Sequence, residues 1–393
     1  MAAADKILKM MENSSWVRRM FETGAALKAE YGPENVYDFS IGNPNVDPPE
    51  EFFRVLSETA ALREPGQHGY MPNAGYPGVR AAVAAEIARD QGVDPGVEGT
   101  LMTCGAGGGL NVALKTVLNP GDKVLVSTPY FVEYGFYVDN HGGVLEPVPG
   151  GPGFDLDLNA LEARMDKTTA AVIINSPNNP TGKIYDEDTI GNLGALLERK
   201  SRELGRTIYL ISDEPYRKIV FDGAVVPSVF RHYRNSFAVT SYSKDLSLPG
   251  ERIGWLAIHP EAEDRKNLVS GAVLCNRILG YVNAPALMQR VVGRLQGHTV
   301  DIDLYRRKRD LLCRGLSEVG FRFDVPRGTF YLFPEAPGGD DLKAVDLLRE
   351  ERILTVPGRG FGAPGYFRIS FCVDDAVIEN SLAGFRRAFA RMG

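Results

Sequence analysis

The sequence predicts an α/β protein: a mostly parallel sheet of seven strands covered by helices, joined to a smaller α+β unit. Three observations carry this. Between about residues 50 and 280, short and nearly all-apolar runs alternate with helical patterns. A strand without a polar side is buried on both faces, and helices packed on a parallel sheet bury it that way. After about residue 320 the alternation stops, and short strands with two helices close the chain. Finally, 393 residues, 44% of them hydrophobic, suffice for more than one domain with a sizeable core.

The elements follow in order. Ile7, Leu8, Met11, Trp16, Val17, Met20 and Phe21 recur at three-and-four spacing, which predicts a helical arm over 5–30. A short strand over 36–41 then ends at Gly42-Asn43-Pro44. This arm, 1–48, is expected to join the smaller unit and to reach a partner subunit. The large domain, 49–285, should hold helices at 50–61, 78–91 and 108–118. Its seven strands are expected at 101–103, 123–126, 144–148, 171–174, 208–211, 236–240 and 254–258. A helical stretch over 260–318 should break at Gly280–Pro285. The small domain, 286–393, should hold strands at 321–325, 329–333, 353–356 and 367–371, with helices at 341–350 and 374–391.

Composition excludes several classes. Net charge is −6, and the longest basic run is Arg-Arg-Lys-Arg at 306–309, expected to be a solvated helix face. Nucleic acid is therefore not the expected partner. Cys104, Cys275, Cys313 and Cys372 form no Cys-x-x-Cys pair, and the five histidines show no His-x-x-x-His spacing. No metal site is expected, and the thiols should be free in a reducing compartment. No apolar run reaches membrane-spanning length and no leader pattern opens the chain, so a cytoplasmic protein without a membrane partner is expected.

The chemistry centres on Ser241-Tyr242-Ser243-Lys244, with Arg252 eight residues further on. Lys244 ends a strand hemmed in by apolar sequence. Burial there destabilises an ammonium and frees the amine as a nucleophile. Gly105-Ala106-Gly107-Gly108-Gly109 follows a strand and opens a helix, a backbone anion site suited to phosphate. A dinucleotide fingerprint is the rival, but Asp122 and Glu133 do not close a second strand as its ribose contact requires. Phe131 could stack on a planar ring. Asn179, in Asn175-Ser176-Pro177-Asn178-Asn179-Pro180-Thr181-Gly182, sits in a fixed irregular loop and offers an amide. Asp213 ends another buried strand and needs a partner. A protonated ring nitrogen would serve, as would backbone or an arginine. Arg368 lies in the apolar run 367–371 and needs a carboxylate, internal or from a ligand. Together these residues describe one ligand with a phosphate, a flat ring, a ring oxygen, a ring nitrogen and a carbonyl for Lys244. That ligand is pyridoxal phosphate.

Over nearly its whole length the chain resembles the class I/II aminotransferases, pyridoxal-phosphate enzymes of fold type I. The resemblance implies that Lys244 carries the cofactor as a Schiff base and acts as general base. It implies that Arg252 and Ser241 bind phosphate together with the Ala106 and Gly107 amides. Phe131 would stack on the ring, where many relatives have tryptophan. Asn179 and Tyr216 would hold the ring oxygen, and Asp213 the ring nitrogen. Arg368 would grip the substrate α-carboxylate, beside the Gly42 backbone. Tyr70 would reach the phosphate of a neighbouring subunit, implying a homodimer with shared active sites. Arg277 stands near the position where the aspartate-using branch carries an arginine for a distal carboxylate, with its register shifted by one residue. The implied activity is ping-pong transfer of an amino group between an L-amino acid and a 2-oxo acid, of aspartate/2-oxoglutarate type. A carbon–sulfur lyase would use the same constellation and is the alternative. Ligand-binding regulators of this fold carry a DNA-binding domain before it, and here only a short arm precedes it.

Overall fold

The computed structural model describes residues 3–12 and 16–392. Two helices, α1 (Asp5–Glu12) and α2 (Trp16–Tyr31), form the arm, and the side chains of Trp16, Val17 and Phe21 lie outside the described set. Then come β1 (Tyr37–Asp38), α3 (Glu50–Ala61), α4 (Pro77–Gln91), β2 (Thr100–Thr103), α5 (Gly105–Val117), β3 (Lys123–Ser127), α6 (Glu133–Asp139), β4 (Val144–Val148), α7 (Leu158–Arg164) and β5 (Thr169–Asn175). They are followed by α8 (Glu187–Leu204), β6 (Tyr209–Asp213), β7 (Ser236–Ser241), β8 (Gly254–Ile258), α9 (Arg265–Ile278), α10 (Ala286–Gly293) and α11 (Ile302–Val319). The chain closes with β9 (Tyr331–Leu332), α12 (Asp341–Glu350), β10 (Ile353–Leu354), β11 (Val356–Pro357), β12 (Phe367–Ser370) and α13 (Asp375–Met392).

The large sheet has seven strands in the order β2-β8-β7-β6-β5-β3-β4. Only β8 runs against its neighbours. Every residue of β5 is buried. Its side chains alternate between two cores: Ala171 and Ile173 pack with Leu110, Phe237 and Leu256, while Val172 and Ile174 pack with Met102, Leu193 and Leu210. That double burial is why the run carries no polar side. The covering helices are punctuated by local chemistry. Asp186 caps α8 by accepting from the Thr189 N–H, and Gly205 ends it in the left-handed region, at φ 65°.

The strand order reverses between β3 and β5, because β4 takes the outer edge before the chain returns as β5. The carboxyl ends of β2, β3, β5, β6 and β7 open on the same side. A sheet that reverses its winding leaves a crevice at that point, and ligands bind there.

A third core joins the beginning and end of the chain. Met20 and Phe39 pack with Tyr305, Leu312, Phe330, Phe367 and Phe385. Strand β1 pairs in parallel with β10, and the Ser370 N–H donates to Phe39 O at 2.8 Å.

Three expectations are corrected. Residues 321–325 form no strand. Phe321 is buried there, but the Glu335 N–H to Arg322 O bond is the ladder-type contact the segment makes, so no register builds up. The stretch 260–318 breaks twice, the second time between α10 and α11. The basic run is only in part a solvated face: Arg306 and Arg307 are exposed, but Lys308 and Arg309 are buried. Arg309 pairs with Asp222 at 2.6 Å and Asp310 at 2.7 Å, while Lys308 donates to Val373 O.

Candidate active site

The crevice is a cavity of about 550 Å³ at the carboxyl ends of the strands. Of the residues singled out from the sequence, Gly42, Ala106, Gly107, Phe131, Asn179, Asp213, Tyr216, Ser241, Lys244, Arg252 and Arg368 all line it. They come from positions 42 to 368, so the fold alone brings them together.

Lys244 follows β7. Its Nζ donates to Gly42 O at 2.9 Å and faces the rings of Phe330 and Tyr216, at 5.4 and 5.9 Å from their centroids. Burial pushes its ammonium down to about 8, and the charges of Arg368 and Arg252 add to the effect. A lysine in that state is partly free amine near neutral pH. Gly42 has to be glycine, because a Cβ there would overlap the Tyr331 hydroxyl.

Asp213 ends β6 and is buried. One carboxylate oxygen accepts from Tyr134 Oη at 2.6 Å; the other, Oδ1, is buried and unpartnered. Burial pushes the carboxyl up to about 7, the Tyr134 bond opposing and the nearby Glu214 adding. An acceptor left without a donor costs about 1–3 kcal/mol. A protonated ring nitrogen would satisfy it and hold the carboxylate ionised.

Arg368, on β12, is 3% exposed. Its guanidinium stacks over Tyr331 and Phe361, 4.5 and 4.9 Å from their centroids. One Nη donates to Asn179 Oδ1 at 3.0 Å and the other to Ser40 O at 2.7 Å, while Nε is buried and unpartnered. No carboxylate of the described residues pairs with it. The Asn179 amide that holds it is held in turn by Asn175, whose Oδ1 accepts from the Asn179 N–H at 2.7 Å. Tyr216 donates to Tyr331 Oη at 3.1 Å, and burial raises its hydroxyl well above the ordinary tyrosine range.

The anion end is built on α5. The glycine run lies within the helix's first turns rather than before it, with Gly105 at φ 70°. Gly109 lets α5 approach β7, since a Cβ there would sit 2.6 Å from Val239 Cγ1. Arg252 adopts the left-handed region at φ 51°, donates to Pro249 O at 2.7 Å and lies beside Gly105. Backbone N–H groups, the Ser241 hydroxyl and a guanidinium thus converge as a phosphate monoester requires.

Tyr70 and Arg277 do not line the cavity of a single chain. Tyr70 is 93% exposed, and Arg277 is exposed at the end of α9 with no ion pair among the described residues. Reasoning from sequence missed Tyr134, Tyr137, Glu133, Tyr331 and Phe361. The first three sit on α6, a seven-residue helix too short to show a period.

The model of the family described as aminotransferase class I and II matches residues 34–385. The chain belongs to that family. Among solved structures, an aminotransferase from Eubacterium rectale superimposes with a TM-score of 0.96 at 39% identity, covering 100% of both chains. Aspartate aminotransferase from Thermus thermophilus with maleate gives 0.87 at 26% identity, over 99% of this chain and 100% of that one. A curated relative, a probable aspartate/prephenate aminotransferase of Aquifex aeolicus, is 32% identical over 90% of each chain. This aminotransferase uses pyridoxal phosphate, and the unpartnered Asp213 Oδ1, the phosphate cradle and the destabilised Lys244 fit that group. The carbon–sulfur lyase alternative is not favoured by these relatives. Among the described residues no helix is long and apolar enough to cross a membrane, and no cluster of His, Cys, Asp or Glu could hold a metal.

Proposed function

We propose that this cavity transfers the amino group of an L-amino acid to a 2-oxo acid with Lys244, Asp213 and Tyr216 as catalytic residues. The observation that carries it is Arg368: a buried guanidinium with no carboxylate partner among the described residues, in one cavity with a lysine of lowered basicity. Its free Nε and forked geometry suit an α-carboxylate. Pyridoxal phosphate, when bound, supplies the sink for the electron pair left at the substrate Cα. Lys244 Nζ is the attachment point and the base that holds the Cα proton. Asp213 keeps a ring nitrogen protonated, and Asn179 and Tyr216 orient a ring oxygen. Ala106, Gly107, Ser241 and Arg252 hold the phosphate, and Phe131 stacks on the ring.

We read the substrates as dicarboxylates of the aspartate/2-oxoglutarate type, supported by the names of the Aquifex and Thermus proteins. Among the described residues of one chain the cavity's cations are Lys244, Arg252 and Arg368, each already assigned. For a distal carboxylate our candidate is a cation from a second copy, the exposed Arg277. A second reading rests on Glu133. Its carboxylate lines the cavity without a hydrogen-bond or ion-pair partner among the described residues. Such a group repels acidic side chains and accepts from basic ones.

Half-reactions with single amino acids, followed by cofactor absorbance without added 2-oxo acid, separate the readings. Under the first, aspartate and glutamate react fastest, and Arg277→Ala weakens them by about 2–5 kcal/mol while sparing alanine. Under the second, lysine, ornithine or arginine lead, and Glu133→Gln slows them alone. An enzyme that releases pyruvate from cysteine conjugates, with no half-reaction, would refute transamination.

We also propose a cytoplasmic homodimer with shared sites, supported by the exposed Tyr70 and by four free cysteines. Of the divisions at 1–48, 49–285 and 286–393, we move the last to follow Leu295. Met288, Val291, Val292 and Leu295 pack in a core of the large sheet.

A further inference from the structure

The glycine run that faces the anion end carries no hydroxyl and no charge from Gly105 to Gly109. The space one side chain would take is not open. A Cβ built on Gly107 would lie 3.1 Å from the Tyr137 hydroxyl. On the other side of the same turn, a Cβ on Gly105 would lie 3.0 Å from Arg252 Nη2. The first turn of α5 is thus bracketed by the Arg252 guanidinium and the Tyr137 phenol. Tyr137 lines the cavity from α6, as Arg252 does from the strand side. Its neighbour one turn back, Tyr134, already donates to Asp213. Tyr137 Oη makes no hydrogen bond among the described residues. Its phenol stays protonated across the working pH range: burial, Glu133 and Asp213 push it up to about 12, with Arg252 opposing. It is therefore a donor with no acceptor, placed where residue 107 would otherwise project.

We infer that Tyr137 Oη donates to the phosphate of the bound cofactor, replacing the side-chain donor that the glycine run lacks. The inference rests on the pyridoxal-phosphate reading of the cavity. It adds a cofactor-binding residue from α6, apart from α5 and the strand ends that supply the others. A phosphate monoester dianion presents three acceptor oxygens, and a hydroxyl donor at its edge complements the backbone N–H groups, Ser241 and Arg252.

The test titrates cofactor-free protein with pyridoxal phosphate and, separately, with pyridoxal, which has the ring and carbonyl but no phosphate. Binding is read by absorbance and by quenching of intrinsic fluorescence. Tyr137→Phe should bind pyridoxal phosphate roughly tenfold or more weaker, as expected for a lost hydrogen bond to a charged group. Its affinity for pyridoxal should stay that of the wild type. The double variant Tyr137→Phe/Gly107→Ser should recover most of the loss, since removing the phenol oxygen frees the space for a serine hydroxyl on the loop. Gly107→Ser alone should bind more weakly than wild type, because Cβ and phenol then compete. Unchanged pyridoxal phosphate affinity in Tyr137→Phe overturns the proposal. So does an equal loss for both probes, which marks a packing role. A folded double variant no tighter than Tyr137→Phe counts against the shared position. Wild-type protein that binds no pyridoxal phosphate would overturn the cofactor reading itself, and is measured first.

Discussion

At the scale of single residues, the site is built from groups whose burial leaves them short of a partner. Asp213 shows the cost. Its folded carboxyl titrates near 7, against 3.8 for the ordinary side chain, mainly because burial disfavours the charge. A raised carboxyl destabilises the folded form as pH climbs from about 4 to about 7, and the deficit is constant above. Cofactor-free Asp213→Asn should therefore match wild type near pH 4 and exceed it at pH 8 by a few kcal/mol, since each tenfold change in proton affinity is worth about 1.4 kcal/mol. Urea unfolding at the two pH values checks this, and a gap that does not change with pH would refute it. Turnover of the loaded variant should meanwhile fall by at least about a hundredfold, a general acid–base scale of loss. Lys244, Asp213, Asn179 and Arg252 were legible in the sequence, because each stands at a strand end inside a short distinctive string. Arg368 was legible through the improbability of a guanidinium in an apolar strand. Tyr137, which lines the cavity, and Tyr134, which reaches Asp213 from a core, were not, because nothing local distinguishes either from an aromatic that only fills a core.

Among the elements, α5 fits closely against the large sheet. Four glycines in its first five residues are poor helix formers, so propensity does not hold the turn. Packing does: Gly109 lies against Val239 on β7, and Gly254 leaves room for the Gly105 backbone. Gly109→Ala should push the helix off the sheet, costing about 1–3 kcal/mol by overpacking. Because the amides that meet phosphate ride on that turn, pyridoxal phosphate affinity should fall with it. Thermal unfolding and cofactor titration measure the two together, and unchanged values in both would show that the contact relaxes freely. The inner strands of the large sheet were readable since double burial leaves them mostly apolar, whereas β4, at the edge, is partly exposed and carries Glu146. Residues 321–325 alternate apolar and charged side chains as a half-buried strand does but find one ladder-type bond, so the pattern misled there. The basic run misled in the other direction. Its charges at 308 and 309 are neutralised by the adjacent Asp310 and by Asp375 and Asp222, two carboxylates that only the tertiary fold identifies.

For the whole molecule, the proposed dimer turns on Tyr70 and Arg277, both exposed in a single chain. Mixing Tyr70→Phe subunits with Lys244→Ala subunits should give heterodimers in which one site carries both lesions and the other neither. Activity above both parents after proven subunit exchange supports shared sites, and no recovery counts against them. The third core carries another consequence, in the order of synthesis. The strands of the large sheet, with Asp213 and Lys244, are complete by Ile258. Ser40 O, however, meets the Arg368 guanidinium across 328 positions of sequence. Chains emerge from the ribosome N-terminus first, and domains fold as they emerge. A nascent chain stalled before Phe367 can therefore display Lys244 and the glycine turn of α5 while lacking the Arg368 guanidinium. The walls that carry Asp213, Lys244 and Arg252 are thus made before β12, the last strand, which brings the Arg368 guanidinium to them.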